Sequence, residues 1–199
     1  MIDNRRIVLQ FSIAFILSTH CFVGPARADF KAGENAYQHG DYATALREWQ
    51  SLAKQGHAVA QYRLGLLYSN GHGVPKDDAQ ARQWYEKAAS QGHVDAQVNL
   101  GSLYDYGRGG PQDFKMAVRW YRRSAEQGND LAQRRLGLLY EHGDGVPKDF
   151  VQAYMWLKLG ATNGGKSGAI MRDELAAKMT SDQLAEAKRL AQEWKPKPK

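Results

Sequence analysis

The sequence predicts an all-α protein, a right-handed α-solenoid of stacked helical hairpins. Eleven residue columns recur at a step of 36 through three successive units. Apolar residues inside each unit fall at helical spacing, and a turn rich in glycine and proline divides each unit in two. The columns are Ala60/Ala96/Ala132, Leu64/Leu100/Leu136, Gly65/Gly101/Gly137, Tyr68/Tyr104/Tyr140, Gly71/Gly107/Gly143 and Gly73/Gly109/Gly145, followed by Pro75/Pro111/Pro147, Asp77/Asp113/Asp149, Ala81/Ala117/Ala153, Trp84/Trp120/Trp156 and Gly92/Gly128/Gly164. Agreement in that many triplicate positions is not chance.

Residues 1–28 read as a secretory signal. Arg5 and Arg6 precede an apolar run from Ile7 to Leu17, and Ala26-Arg27-Ala28 supplies a small-x-small cleavage signature before Asp29. Eleven residues at about 1.5 Å each fall short of a hydrocarbon core of roughly 30 Å, so no stable membrane span is expected after cleavage. An uncleaved anchor is the alternative. Cys21 does not make a lipoprotein site, because His20 before it is too bulky. The mature chain then lacks cysteine and is indifferent to an oxidising compartment, periplasmic or extracellular.

Residues 29–57 form an N-terminal capping hairpin with a shorter turn at Gly40-Asp41. Repeats 1, 2 and 3 follow at 58–93, 94–129 and 130–165. In the first, Ala60, Leu64 and Tyr68 lie on one helical stripe, and Gly65 beside it admits a close neighbour. Gly71-His72-Gly73-Val74-Pro75 ends that helix, since glycine accepts left-handed dihedrals and proline denies a continuation. Asp77 or Asp78 caps the second helix, whose buried stripe is Ala81, Trp84, Tyr85 and Ala88. A hairpin this short is apolar on both flanks and must stack to bury them. Residues 166–194 read as two C-terminal capping helices, the last opened by the capping-box pattern Thr180-x-x-Gln183. The basic Lys-Pro segment 195–199 cannot be helical and is expected to be a loose tail.

Composition limits the function. With 43% apolar and 24% charged residues the chain is globular, and its mean hydropathy of −0.61 excludes a polytopic membrane protein. The formal charge of +6 sits mostly at the ends. Residues 1–28 carry three arginines and one aspartate, and the tail carries three lysines, leaving a body near neutrality. Nucleic-acid binding is not expected of such a surface.

The columns resemble the Sel1-like repeat family, longer-looped relatives of tetratricopeptide repeats. The resemblance rests on Ala-x-Ala-Gln-Tyr-x-Leu-Gly-x-x-Tyr at 58–68, Gly-x-Gly-Val-Pro-Lys at 71–76 and Ala-x-x-Trp-Tyr-x-Lys-Ala-Ala at 81–89. It implies a non-catalytic scaffold or adaptor that holds a protein or peptide partner on the concave face. By similarity, that groove is lined by Tyr62, Leu66, Ser69 and Asn70, then Val98, Ser102, Asp105 and Tyr106, then Arg134, Leu138, Glu141 and His142. Their mixed chemistry suits a polypeptide. A periplasmic regulator of an envelope signalling receptor and a cell-wall-related or β-lactam-binding hydrolase are the alternative functions.

Other motif matches carry less. Gly160 to Ser167 satisfies GxxxxGK[ST], yet that chemistry needs a preceding strand, and these residues follow a repeat helix. Ser51-Leu-Ala-Lys54 matches SxxK without an accompanying SDN or KTG element. His57 and His93 share a turn column with Asn129, and no metal-ligand spacing exists, so neither a metal nor a cofactor is expected. Arg119, Arg122, Arg123, Arg134 and Arg135 form the one basic concentration. Pairing with Asp113, Glu126 and Asp130 is its expected use, and an acidic partner segment is the alternative.

Overall fold

The computed structural model describes residues 29–161 and 166–197; the leader expected at 1–28 lies outside them. Ten helices run in order: α1 (Phe30–Gln38), α2 (Tyr42–Lys54), α3 (Ala58–Asn70), α4 (Asp78–Ser90), α5 (Val94–Asp105), α6 (Phe114–Glu126), α7 (Asp130–His142), α8 (Phe150–Gly160), α9 (Lys166–Ala176) and α10 (Ser181–Glu193). Each helix from α1 to α8 packs on the next, and α10 returns to α8. The described residues thus form an all-α repeat solenoid. None of their helices is long and apolar enough to cross a membrane.

Short polar side chains set where the helices begin. Asp77, Asp113 and Asp149 accept backbone N–H groups at the starts of α4, α6 and α8, at 2.9–3.0 Å. Asp77 is therefore the cap, and Asp78 instead holds Arg108 through two bonds of 2.8 and 3.0 Å. The column His57/His93/Asn129, read above as turn surface, caps the first helices. His57 Nδ1 accepts from Ala60 N at 3.2 Å, His93 Nδ1 from Ala96 N at 3.3 Å, and Asn129 Oδ1 from Ala132 N at 2.9 Å. The capping box forms, with Thr180 Oγ1 accepting from Gln183 N and Gln183 Oε1 from Thr180 N.

The glycine of each first helix faces one large side chain of the second. A Cβ on Gly101 would stand 2.8 Å from the Tyr121 ring, and one on Gly137 would stand 2.8 Å from Leu157 Cγ. Gly65 meets Tyr85 and Gly33 meets Trp49 in the same way. Trp49, Tyr85, Tyr121 and Leu157 are spaced by 36 and are at most 2% exposed. This column, one residue after the tryptophans, is the deepest layer of the core. Trp84 is only half-buried, while Trp120 and Trp156 are 4% and 6% exposed. Dispersion and burial both peak where a ring lies flat on backbone.

Neighbouring repeats are tied by buried amides. Gln61, Gln97 and Gln133 donate through Nε2 to the carbonyls of Ala53, Ala89 and Ala125, at 3.1–3.2 Å. Gln91 and Gln127 then donate to the Oε1 atoms of Gln61 and Gln97, at 2.7 and 2.9 Å. Each glutamine so fixes the end of one hairpin on the start of the next. Gln97→Ala should lower unfolding stability by about 2 kcal/mol, since it opens a small cavity and removes the bonds that Gln97 makes to the Ala89 carbonyl and the Gln127 amide. Urea unfolding checks this, and a midpoint equal to the parent's would contradict it.

Candidate interaction surface

Between α3 and α5 lies a hollow of about 210 Å³, lined by Leu66, Ser69, Asn70, Tyr85, Asn99, Ser102, Leu103 and Arg108. Its floor is Tyr85, whose ring is held against Gly65. Burial pushes the Tyr85 phenol well above 10.0, with the Ser69 and Asn99 side chains acting in the opposite direction. The hydroxyl is therefore a neutral donor and acceptor among small amides and hydroxyls. Walls of this kind can satisfy both N–H and C=O groups of an extended chain.

The next step along the array repeats the plan with more charge. The Tyr121 hydroxyl donates to Asp105 Oδ2 at 3.2 Å, and the Arg135 guanidinium lies 5.4 Å from the centroid of Tyr106. Tyr106 is 53% exposed, one of the few large apolar groups left open to solvent. Burial pushes the Asp105 carboxyl above the ordinary 3.8; the Tyr121 hydroxyl and Arg135 oppose this, and Asp144 adds to it. An acid with a raised folded value is disfavoured when ionised in the fold. Its contribution to stability therefore grows as pH falls through that value and levels off below 3.8. Asp105→Asn keeps an acceptor for Tyr121 and removes the titration. Paired thermal melts should show the variant at least as stable as the parent at pH 7, with the difference shrinking towards pH 4. A difference that widens on acidification would reverse the assignment.

The expected groove residues divide. Leu66, Ser69, Asn70 and Ser102 come together in the hollow. Tyr62 flanks it, its ring stacked on His93 at 4.5 Å and tilted against Tyr85 at 6.0 Å. Val98 is a correction: at 6% exposure it belongs to the core, because α5 is sandwiched by α4 and α6 on that side. Arg134 is spent on the helix pair α7 and α8, donating to Asp130 and to the Gly160 carbonyl, both at 3.0 Å. Glu141 accepts from Lys178 at 2.9 Å, Leu138 is half-buried, and His142 is exposed with Nδ1 3.9 Å from Asp144. Asn99, Arg108 and Arg135 were missed. They occupy variable columns on the same side of the helices and the turn, the signal that selected the others.

The other sequence matches resolve simply. Ser51 and Lys54 are exposed on α2, and Gln55 Nε2 approaches Ser51 Oγ at 3.4 Å. The GxxxxGK[ST] stretch follows helix α8, with 162–165 outside the described residues. Of the five clustered arginines only Arg134 has a carboxylate partner among the described residues. Asp113 is used as a cap, Glu126 is paired with Lys197, and Arg122 donates to the Tyr140 hydroxyl at 2.6 Å. The pairing expected above thus forms only between Arg134 and Asp130, because Asp113 and Glu126 are engaged elsewhere.

The Sel1 repeat model matches residues 58–93, 94–129 and 130–165. The chain belongs to the Sel1 repeat family. Among solved structures, this Sel1 repeat protein is similar to a protective antigen of uropathogenic Escherichia coli displaying an SLR fold. That likeness has 41% identity and a TM-score of 0.69, over 73% of this chain and 32% of the antigen. It is also similar to a Sel1 repeat protein from Oxalobacter formigenes, at 36% identity and a TM-score of 0.60, over 65% of this chain and 98% of that one. A curated relative, an exopolysaccharide production negative regulator of Rhizobium leguminosarum bv. viciae, is 34% identical over 56 residues, 28% of this chain and 21% of the regulator. The chain therefore spans under a third of both the regulator and the antigen. Sel1 repeat proteins are generally protein-interaction scaffolds, typically non-catalytic.

Proposed function

We propose that this Sel1 repeat protein is an exported, non-catalytic adaptor that holds a polypeptide along α3, α5 and α7, in the periplasm or outside the cell. The observation that carries the reading is the hollow of about 210 Å³ floored by Tyr85 and walled by Ser69, Asn99 and Ser102. It offers donors and acceptors to a peptide backbone, with exposed Tyr106 beyond it as an aromatic anchor. Export is supported by the charged, apolar and small-x-small order of residues 1–28.

A photo-crosslinking residue placed at Tyr106 tests the reading, with exposed Gln83 on α4 as the control position. One dominant protein trapped from position 106 and absent from 83, by a chain whose first residue is Asp29, is the expected result. Equal adducts from both positions would remove the groove, and a retained leader in the trapping species would replace cleavage by the uncleaved anchor. A second reading, control of an envelope signalling receptor, is favoured by the similarity to the exopolysaccharide regulator. A membrane receptor as the trapped protein would select it.

A further inference from the structure

The end of α10 is tied back onto the middle of the array. Trp194 sets its ring edge-to-face against Trp156, centroids 6.2 Å apart, and leaves the helix in extended conformation. Two residues later, Pro196 Cβ lies 3.8 Å from where a Cβ on Gly128 would stand. Lys197 then donates its backbone N–H to the Glu126 carbonyl at 2.7 Å, and its ammonium group reaches the Glu126 carboxylate at 2.7 Å. Beside it a second hollow, of about 350 Å³, runs between the ends of α4 and α6, lined in part by Ser90, Gln97, Arg123 and Gln127. The segment expected to be a loose tail is docked as far as Lys197.

Each contact selects a chemical feature. The last carbonyls of a helix lack partners within it and carry partial negative charge, so an N–H and a cation are both favoured there. Gly128, with φ of +91°, turns the chain beside the proline, which lies at ordinary van der Waals distance from where a Cβ would stand. Proline fixes the extended conformation in advance, which lowers the entropy lost on docking. We propose that the C-terminal end of α6 is a peptide site for an extended segment bearing lysine beside proline, and that this chain fills it in cis with residues 194–197. So few contacts hold a free peptide weakly. They suffice in cis because the tether from α10 provides a millimolar effective concentration. Removing the tail leaves the site open to the same class of segment from another molecule. This site is separate from the hollow between α3 and α5 and does not depend on the function proposed for it.

Zero-length carbodiimide coupling on the whole protein tests the assignment, since it joins only a carboxylate and an amine already in contact. Glu126 and Lys197 should form an intrachain isopeptide in monomeric protein, found by mass spectrometry of the digest and lost in Lys197→Gln. Glu141 and Lys178, 2.9 Å apart, serve as the control pair on the same chain. A coupled control with no Glu126–Lys197 product overturns the docking, and a product found only between copies overturns its being in cis. A chain ending at Trp194 is then offered the peptide acetyl-Trp-Lys-Pro-Lys-Pro-Lys at millimolar concentration. Coupling to Glu126 should be at least about tenfold greater than in the full chain, and several-fold greater than with glycine in place of both prolines. Equal coupling of the two peptides would reduce the site to a charge contact, and no coupling would overturn it.

Discussion

Tyr121→Ala should lower the stability of the protein by about 3–5 kcal/mol, measured by chemical denaturation. The ring is fully buried, rests on Gly101 and fills the interior of repeat 2, so its loss leaves a void between two backbones that cannot close. The cost has a polar part as well. Burial, and then the neighbouring Asp105 charge, push the Tyr121 phenol far above 10.0, so it stays protonated and donates to Asp105. Tyr121→Phe separates the two parts: it keeps the ring and should cost only about 0.5–1.5 kcal/mol. Repeat 3 carries a built-in comparison, because Leu157 occupies the same column at 0% exposure. Tyr121→Leu should therefore fall between the two. In a solenoid each unit is stabilised by its neighbours, so damage in the central repeat uncouples both sides. A cost below about 1 kcal/mol for the alanine variant would mean that the array closes around the void, contrary to interior packing.

The helical hairpins, their turns and their stacking are legible in the sequence because three copies repeat the same local rules. Periodicity shows which residues recur, and recurrence marked the glycines, the aspartate caps and the tryptophans. It set Trp84 and Tyr85 in one buried stripe without order, whereas the layer beside the tryptophans is the deeper. Tyr85 and Tyr121 give way to Leu157 in that layer, so identity is broken while volume and burial persist. The glutamine columns Gln61/Gln97/Gln133 and Gln55/Gln91/Gln127 repeat without a break. They escaped notice because glutamine is ordinarily a surface residue, and only the placement of Ala53, Ala89 and Ala125 carbonyls shows why it is buried here.

The candidate surface was legible only in part, for a related reason. Variable columns point to function only if they face outwards, and facing depends on how one hairpin lies on the next. Val98 is variable yet packed beneath a neighbour, and Arg134 is variable yet bonded to the end of α8. Leu66, Ser69 and Ser102 meet in one hollow because they descend from adjacent turns of α3 and α5. The docking of Lys197 at Glu126 spans 71 residues of sequence, and no local pattern encodes a contact of that range.

Gly101→Val should cost about 4 kcal/mol or more, from the opposite cause to the tyrosine deletion. A Cβ at this position stands 2.8 Å from two atoms of the Tyr121 ring, and that ring has no free space to retreat into. Helix propensity alone would favour replacing a mid-helix glycine by any residue but proline, by up to about 1 kcal/mol for alanine. Sterics outweigh it here, since the neighbour is a whole buried ring rather than the end of a flexible chain. Gly101→Ala should thus be destabilising by about 1–2 kcal/mol despite the gain in propensity. The decisive measurement is the double variant Gly101→Val with Tyr121→Ala, because the new isopropyl group enters the volume that the ring vacates. Its cost should be at least about 2 kcal/mol smaller than the sum of the two single costs. Additive costs would show that the glycine and the ring act separately, and that the close approach of first and second helices is set elsewhere in the repeat.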